Sequence, residues 1–352
     1  MKGKALKSVL LSVILIVLSC DEPVTVITNY VHPDGSITRH IEMRSSKNSF
    51  KHSDLQVPFD STWTLKDSLI VGNKKDTTWI KTAEKLFRNV DEINRAYLAD
   101  SGGNKKISRK AVFARKFRWF NSIYRFSEVI DKTMLYGYPV KDFLNSEELN
   151  YFYSPESITS EKLKGSDSLK YRALADTLKK KTDIWSERCL ISEWIGEFSN
   201  LTAGKGVPDL SKEKLKSREE EFARIAKKYD KNSDSLWNAG VILRDMIGEK
   251  NAREFQIEAD TAINISIRRA LVNFKDYSVR IVMPGKVIGT NGFIDKTDQL
   301  LWPVKSDFFQ TEPYEMWAES KTVNTWAWVV TGIFLVFVIT GLVIRLFRKK
   351  EV

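Results

Sequence analysis

The sequence predicts an α+β fold: a small antiparallel sheet formed by the N- and C-terminal parts of the body, a large helical insertion, and one C-terminal transmembrane helix. Three observations predict it. Both ends of the body place turn residues between short β-branched runs, at "HPDGS" and "MPGKVIGTNG". The middle repeats apolar residues at spacings of three and four, the helical period. Near the C-terminus, Thr325 to Ile344 runs 20 residues without a charge.

The first element is an export signal. Lys2, Lys4 and Lys7 form a positive stretch, and Ser8 to Leu18 is an apolar run. The run is too short for a spanning helix, which needs roughly 20 residues, and it fits the apolar region of a secretory signal. It ends in Val17-Leu18-Ser19-Cys20, followed by Asp21-Glu22-Pro23. A small residue before a cysteine at this place resembles the lipobox of bacterial lipoproteins. The resemblance implies that residues 1–19 are removed and that Cys20 becomes a lipid-modified N-terminus carrying palmitate-type acyl chains. An ordinary cleaved signal with an incidental Cys20 is the alternative. The acid after the cysteine resembles inner-membrane retention signals in some bacteria and surface-export signals in others.

The next elements are strands. Val24 to Tyr30 is β-branched, "HPDGS" at 32–36 is a turn by its Pro, Asp and Gly, and Ile37 to Arg44 alternates, so a hairpin is expected. Ala83 to Tyr97 has apolar residues at 83, 86, 87, 90, 93 and 97, which predicts a helix. Lys105 to Ile130, containing "FARKFRWFNSIYRF", favours strand by its aromatics. The helical insertion covers about residues 140–260. Within and beside it, Ser168 to Phe198 and Ser211 to Tyr229 are amphipathic, and Leu236 to about Leu271 reads as one long helix or two. The sheet resumes at Ser278 to Met283, breaks at Pro284-Gly285, turns at Asn291-Gly292, and continues in short strands at Gln299–Trp302 and Glu315–Ser320.

The terminal helix closes the chain. Twelve residues between Thr325 and Ile344 are Val, Ile, Leu or Phe, an insertion term of about −4 to −7 kcal/mol. Trp326 and Trp328 mark one border, and Arg345, Arg348, Lys349 and Lys350 mark the other. The positive border is expected in the cytoplasm. The expected organisation is therefore a signal peptide at 1–19, an extracytoplasmic domain at 20–322, a membrane helix at 323–346 and a cytoplasmic tail at 347–352. The body would lie on the periplasmic side of the inner membrane, anchored at both ends. Seven basic residues and one acid, Glu351, lie in the terminal segments, so the body carries only +5 of the formal +11.

Cys20, "DGSITRHIEM", a helical stretch, "VRIVMPGKVIGTNG", a following Trp302 and a terminal membrane helix together resemble the LppM-type bacterial envelope lipoprotein domain. The matched pieces cover about a third of the chain, and the helical middle departs from the pattern. The resemblance implies an association with envelope lipids and assigns no mechanism.

Catalytic motifs of the phosphate-loop, G-x-S-x-G and H-E-x-x-H kinds are absent. His32, His40 and His52 are the only histidines, and their spacing is not that of a metal site. Cys189 sits among large apolar residues on a helix, the pattern of a buried and inert thiol. No cofactor or metal is expected. Lys105 to Arg118 holds seven cations and no acid, with Phe113 and Phe117 interleaved and Trp119 following. In a cytosolic protein this would suggest nucleic acid. The exported topology leaves a solvated strand face or contact with an anionic surface, carried by Arg109, Lys110, Arg115, Lys116 and Arg118. Asp followed by Ser or Thr and a small or aliphatic residue recurs at Ser61, Ser68, Thr77, Ser168, Thr177, Ser235 and Thr261. The triplet resembles an O-glycosylation acceptor of exported bacterial proteins; helix caps and turns also favour these residues. The reading is a doubly anchored, non-enzymatic envelope lipoprotein that binds membrane lipids or another envelope protein. Its rivals are a carboxylate-based hydrolase and a structural subunit of a larger membrane complex.

Overall fold

A computed structural model describes residues 23–48, 50, 57–71, 77–100, 107–164, 167–229, 233–272 and 274–348. The expected hairpin opens the fold: β1 (Val24–Val31) pairs antiparallel with β2 (Ile37–Ser45). Gly35 in its turn has φ +91°, and a Cβ there would stand 2.9 Å from Phe113 Cε1, so both backbone and space require glycine. β3 (Thr64–Val71) and β4 (Thr77–Phe87) add to the β2 edge. On the other side, β1 pairs in parallel with β7 (Tyr277–Val282), which is followed in the sheet by β10 (Leu300–Val304) and β9 (Phe293–Ile294). The result is a seven-stranded mixed sheet in the order β3-β4-β2-β1-β7-β10-β9. A second, antiparallel sheet has the order β5-β6-β11-β8, from β5 (Arg109–Arg118), β6 (Asn121–Ile130), β8 (Lys286–Thr290) and β11 (Tyr314–Val323). The α+β class stands, with more sheet than the sequence pattern suggests.

One apolar core joins the two sheets. Ile27, Ile37, Ile41 and Met43 from the first meet Tyr124, Phe126, Ile130 and Met316 from the second. In β2 and β7 the buried residues alternate, so one face of each strand is fully withdrawn from water.

Ala83–Tyr97 is not one helix. β4 runs to Phe87, and α1 (Val90–Ala99) begins after Asn89, whose side chain accepts from the Glu92 backbone N–H. Ala83 and Phe87 are both buried, and a spacing of four returns to the same face in a strand as well as in a helix.

The helical insertion holds α2 (Ser146–Tyr153), α3 (Glu156–Lys164), α4 (Ser168–Thr202), α5 (Lys212–Ser217), α6 (Glu219–Lys228), α7 (Ser233–Asn238), α8 (Val241–Ile247), α9 (Glu249–Glu254) and α10 (Gln256–Ala270). α4, at 35 residues, is about 52 Å long at 1.5 Å per residue. Its C-terminal half supplies Ile191, Trp194, Ile195 and Phe198 to a core shared with Leu215, Phe222, Leu243 and Phe255. The Leu236–Leu271 stretch is cut into four helices rather than one or two. Gly240 at φ +68° and Gly248 at φ +83° take the left-handed backbone that a continuing helix excludes. Ser211–Tyr229 is likewise two helices, interrupted at Arg218.

α11 (Thr325–Arg348) is long and apolar enough to cross a membrane over Thr325–Arg345, and only 6% of its apolar segment is buried. Asn324 alone separates it from β11.

Candidate membrane-proximal site

The junction of β11 with α11 is clamped to the tip of the β5–β6 hairpin. The Asn324 backbone N–H donates to Phe120 O at 3.0 Å. Its side-chain amide donates to Arg118 O at 2.7 Å and Trp119 O at 3.1 Å, and its Oδ1 accepts from Ser122 Oγ at 3.1 Å. Aromatic rings extend the contact down the helix. Phe117 stacks on Trp326 with centroids 6.4 Å apart, Trp119 meets Trp326 edge-on at 5.3 Å, and Phe120 meets Trp328 at 4.3 Å. Trp119 Nε1 donates to Thr331 Oγ1 at 2.8 Å.

Above this junction the second sheet carries a row of cations. The pairing register aligns Lys116 of β5, Ile123 of β6, Lys321 of β11 and Lys286 of β8 across the strands. Arg118 lies two residues beyond Lys116 on the same face. Lys116, Arg118, Lys286 and Lys321 are all exposed, and none is in an ion pair among the described residues. The nearby acids Glu315 and Glu319 are drawn instead to Arg125, at 3.6 and 4.0 Å, and Arg125 also lies 4.3 Å from the Trp317 ring. Lys321 directly opposite Lys286 is a like-charge pair, which disfavours the isolated sheet.

Of the five residues expected to meet an anionic surface, Lys110, Arg115, Lys116 and Arg118 are exposed and Arg109 is not. Arg109 is only 7% exposed, with Nη1 donating to Tyr277 OH at 3.2 Å and its guanidinium lying over the rings of Tyr97, Phe274 and Tyr277. Strand alternation turns it inward and Lys110 outward. The row also gains Lys286 and Lys321, which local charge density did not single out because each stands alone in its strand. Cys20 and His52 lie outside the described residues. His32 bonds Thr38 Oγ1, His40 lies 3.2 Å from Glu84, and no metal-holding cluster occurs among the described residues. Ser61, Ser68, Thr77, Thr177, Ser235 and Thr261 are exposed, and Ser168 is half-buried at the start of α4. The Thr177 and Thr261 hydroxyls donate to the carbonyls of Ala173 and Ile257 within their own helices.

A buried polar network ties the sheets together behind the site. Arg39 is 2% exposed and donates through Nε to Asn29 Oδ1 (2.8 Å), through Nη1 to Tyr97 OH (2.5 Å), and through Nη2 to Glu128 Oε2 (2.8 Å). Tyr97 OH donates in turn to Glu128 Oε1 at 2.5 Å. Burial pulls the Arg39 pKa down, but Glu128 and Tyr97 more than offset this and the group moves up. Burial also moves Tyr97 above the ordinary phenol range.

Two arrangements in the helical layer look catalytic by distance. Lys216 Nζ lies 2.7 Å from Ser192 Oγ, but Ser192 is 2% exposed and donates its own proton to Tyr136 O. Burial lowers the Lys216 pKa, yet bonds to Glu219 and Tyr138 raise it overall, so the amine is held protonated rather than poised as a base. Glu193 and Glu197 converge, but both accept from Arg269 Nη1, at 2.7 and 2.6 Å. Two surface concavities, of about 150 Å³ beside Asp209 and Arg218 and about 300 Å³ beside Glu221 and Arg224, fall at or below the low end of ligand pockets, about 300–1,000 Å³.

Cys189 is fully buried, and burial pushes its thiol from about 9 to about 12. A folded-state pKa above the unfolded one stabilises the protein below pH 9, and this contribution fades as pH rises toward 12. Folded chain is therefore expected to resist iodoacetamide at pH 8 and to react on unfolding. Rapid alkylation of folded protein at this residue, read by mass spectrometry, would contradict the burial.

No protein-family model, curated protein or solved structure matches the chain.

Proposed function

We propose that this chain is a membrane-tethered, non-enzymatic envelope lipoprotein whose extracytoplasmic body binds the anionic headgroups of the membrane that anchors it. Cys20 supplies the lipid anchor and α11 the spanning one, with the C-terminus in the cytoplasm. The reading is carried by the cation row Lys116, Arg118, Lys321 and Lys286, in no ion pair among the described residues and placed just above the entry of an apolar helix. Four like charges on one face cost stability in an isolated sheet, and an anionic surface opposite them relieves that cost. The hydrogen-bonded clamp at Asn324 supports it, because it fixes the row at one height above the helix.

A second reading, a subunit of a larger membrane complex, is favoured by β3. This strand ends the seven-stranded sheet, and Leu65, Leu69 and Val71 on one of its faces are 45%, 45% and 65% exposed.

The test uses the full chain in vesicles of mixed neutral and anionic lipid. Each charge near an anionic surface contributes about 1 kcal/mol. A Lys116→Gln, Arg118→Gln, Lys321→Gln chain should therefore lose about 3 kcal/mol of preference for anionic lipid, roughly 100-fold. The measurement is the ratio of anionic to neutral lipid co-purified with each protein. Screening works over about 8 Å at physiological salt, so high salt should reproduce the variant. An unchanged lipid ratio would remove the row from the functional account.

A further inference from the structure

We propose that the tip of the β5–β6 hairpin, Phe117 to Phe120, is a second membrane-inserted element: an aromatic wedge seated in the bilayer interface beside the first turns of α11. This deepens the reading above and rests on α11 crossing a bilayer.

Depth is the first support. Trp119 Nε1 bonds Thr331 Oγ1, and Thr331 lies six residues past Thr325, about 9 Å along the helix axis at 1.5 Å per residue. The polar layer on each side of the hydrocarbon is about 5–8 Å thick. With the top of α11 at the top of that layer, the indole of Trp119 reaches its floor.

Polar satisfaction is the second. A group leaving water for the bilayer must keep its hydrogen bonds. The indole N–H of Trp119 is given to Thr331, and the carbonyls of Arg118, Trp119 and Phe120 all accept from Asn324. Apart from the exposed Arg118 side chain, the surface that remains is apolar: Phe117 is 53% exposed and Trp119 47%, beside Trp326 at 51% and Trp328 at 57%.

Composition and order along the membrane normal are the third. Tight turns facing water favour Gly, Asn, Asp and Ser, whereas this one is Trp119-Phe120. The cations stand above it. Lys321 precedes Thr325 by four residues, about 13 Å of strand at 3.3 Å per residue. Aromatics below and cations above is the order of a membrane interface, and a side chain as long as that of Arg118 can keep its charge at the headgroups while its backbone sits lower.

The experiment is photolabelling of the full wild-type chain in vesicles with an apolar diazirine that resides in the bilayer, followed by peptide mass mapping. Adducts are expected on Phe117–Phe120 at a level comparable with Trp326–Thr331, and at background on the exposed apolar edge strand Leu65–Val71. Adducts on α11 with none on Phe117–Phe120 would overturn the wedge and leave the tether intact. Adducts on neither would overturn the membrane-crossing reading itself. Equal adducts on Leu65–Val71 would mean that the probe reports exposed apolar surface rather than depth, and would also overturn the wedge. Raising salt should leave tip labelling unchanged while it lowers the lipid preference of the cation row; tip labelling that fell with salt would show a surface contact in place of insertion.

Discussion

An Arg39→Met chain is expected to lose about 3–5 kcal/mol of stability, because it removes one partner of a buried ion pair and leaves the other charge uncompensated. Arg39 and Glu128 are 2% and 3% exposed, and the guanidinium also serves Asn29 and Tyr97. Against a usual total of about 5–15 kcal/mol, this loss would bring the chain to the edge of unfolding. The check is denaturant unfolding of the full chain in detergent, followed by tryptophan fluorescence. The double variant Arg39→Met, Glu128→Leu should recover part of the loss, since an apolar pair of similar volume often replaces a buried ion pair at little cost. A single variant as stable as wild type would mean that the two sheets are held by apolar packing alone.

Trp302→Ala is expected to cost about 3–5 kcal/mol, the usual range for deleting a large buried aromatic. Trp302 is 1% exposed, and its Nε1 donates to Asn291 Oδ1 at 2.9 Å. The same oxygen accepts from the Trp317 backbone N–H at 2.9 Å, and the Asn291 amide donates to Glu315 O at 2.6 Å. A Cβ on Gly292 would stand 2.5 Å from the Trp302 ring, so Gly292→Ala alone should cost about 1–3 kcal/mol by overpacking. The two changes should not add: with the indole gone, the new methyl enters the vacated space, and the double variant should be more stable than the summed losses imply. Additive losses in thermal unfolding would show that the ring and the glycine act separately.

This contact also explains why "TNG" and Trp302 belong together. The Asn-Gly pair reads as a tight turn in sequence, where glycine is favoured for positive φ. Gly292 is not among the positive-φ residues, and its need is for space beneath Trp302. The glycine of this expected turn thus has a different physical cause, visible only when residues ten apart are brought into contact.

The candidate site was partly legible in the same way. Lys116 and Arg118 stood out in a basic, aromatic run, and Trp326 and Trp328 stood out as an interfacial pair. Nothing local said that these two segments touch, since they lie some 200 residues apart. The Asn324 clamp is not legible in the sequence, because a single asparagine between a strand and a helix has no pattern of its own.

What the sequence determined by itself is what short-range periodicity and hydropathy encode. The β1–β2 hairpin, the long α4, the β5–β6 strands and the apolar α11 all follow from residues within one element, where spacing, turn chemistry and length suffice. The tertiary structure decided the rest. It set β1 beside β7 in parallel, some 250 residues along the chain, and split the strands into two sheets with one core. It turned Arg109 into that core while leaving Lys116 outside, although both belong to one basic run. The physical reason is that burial depends on what packs against a face. For Arg109 the rings that cover it come from α1, β7 and the segment before β7, and no reading of β5 alone contains them.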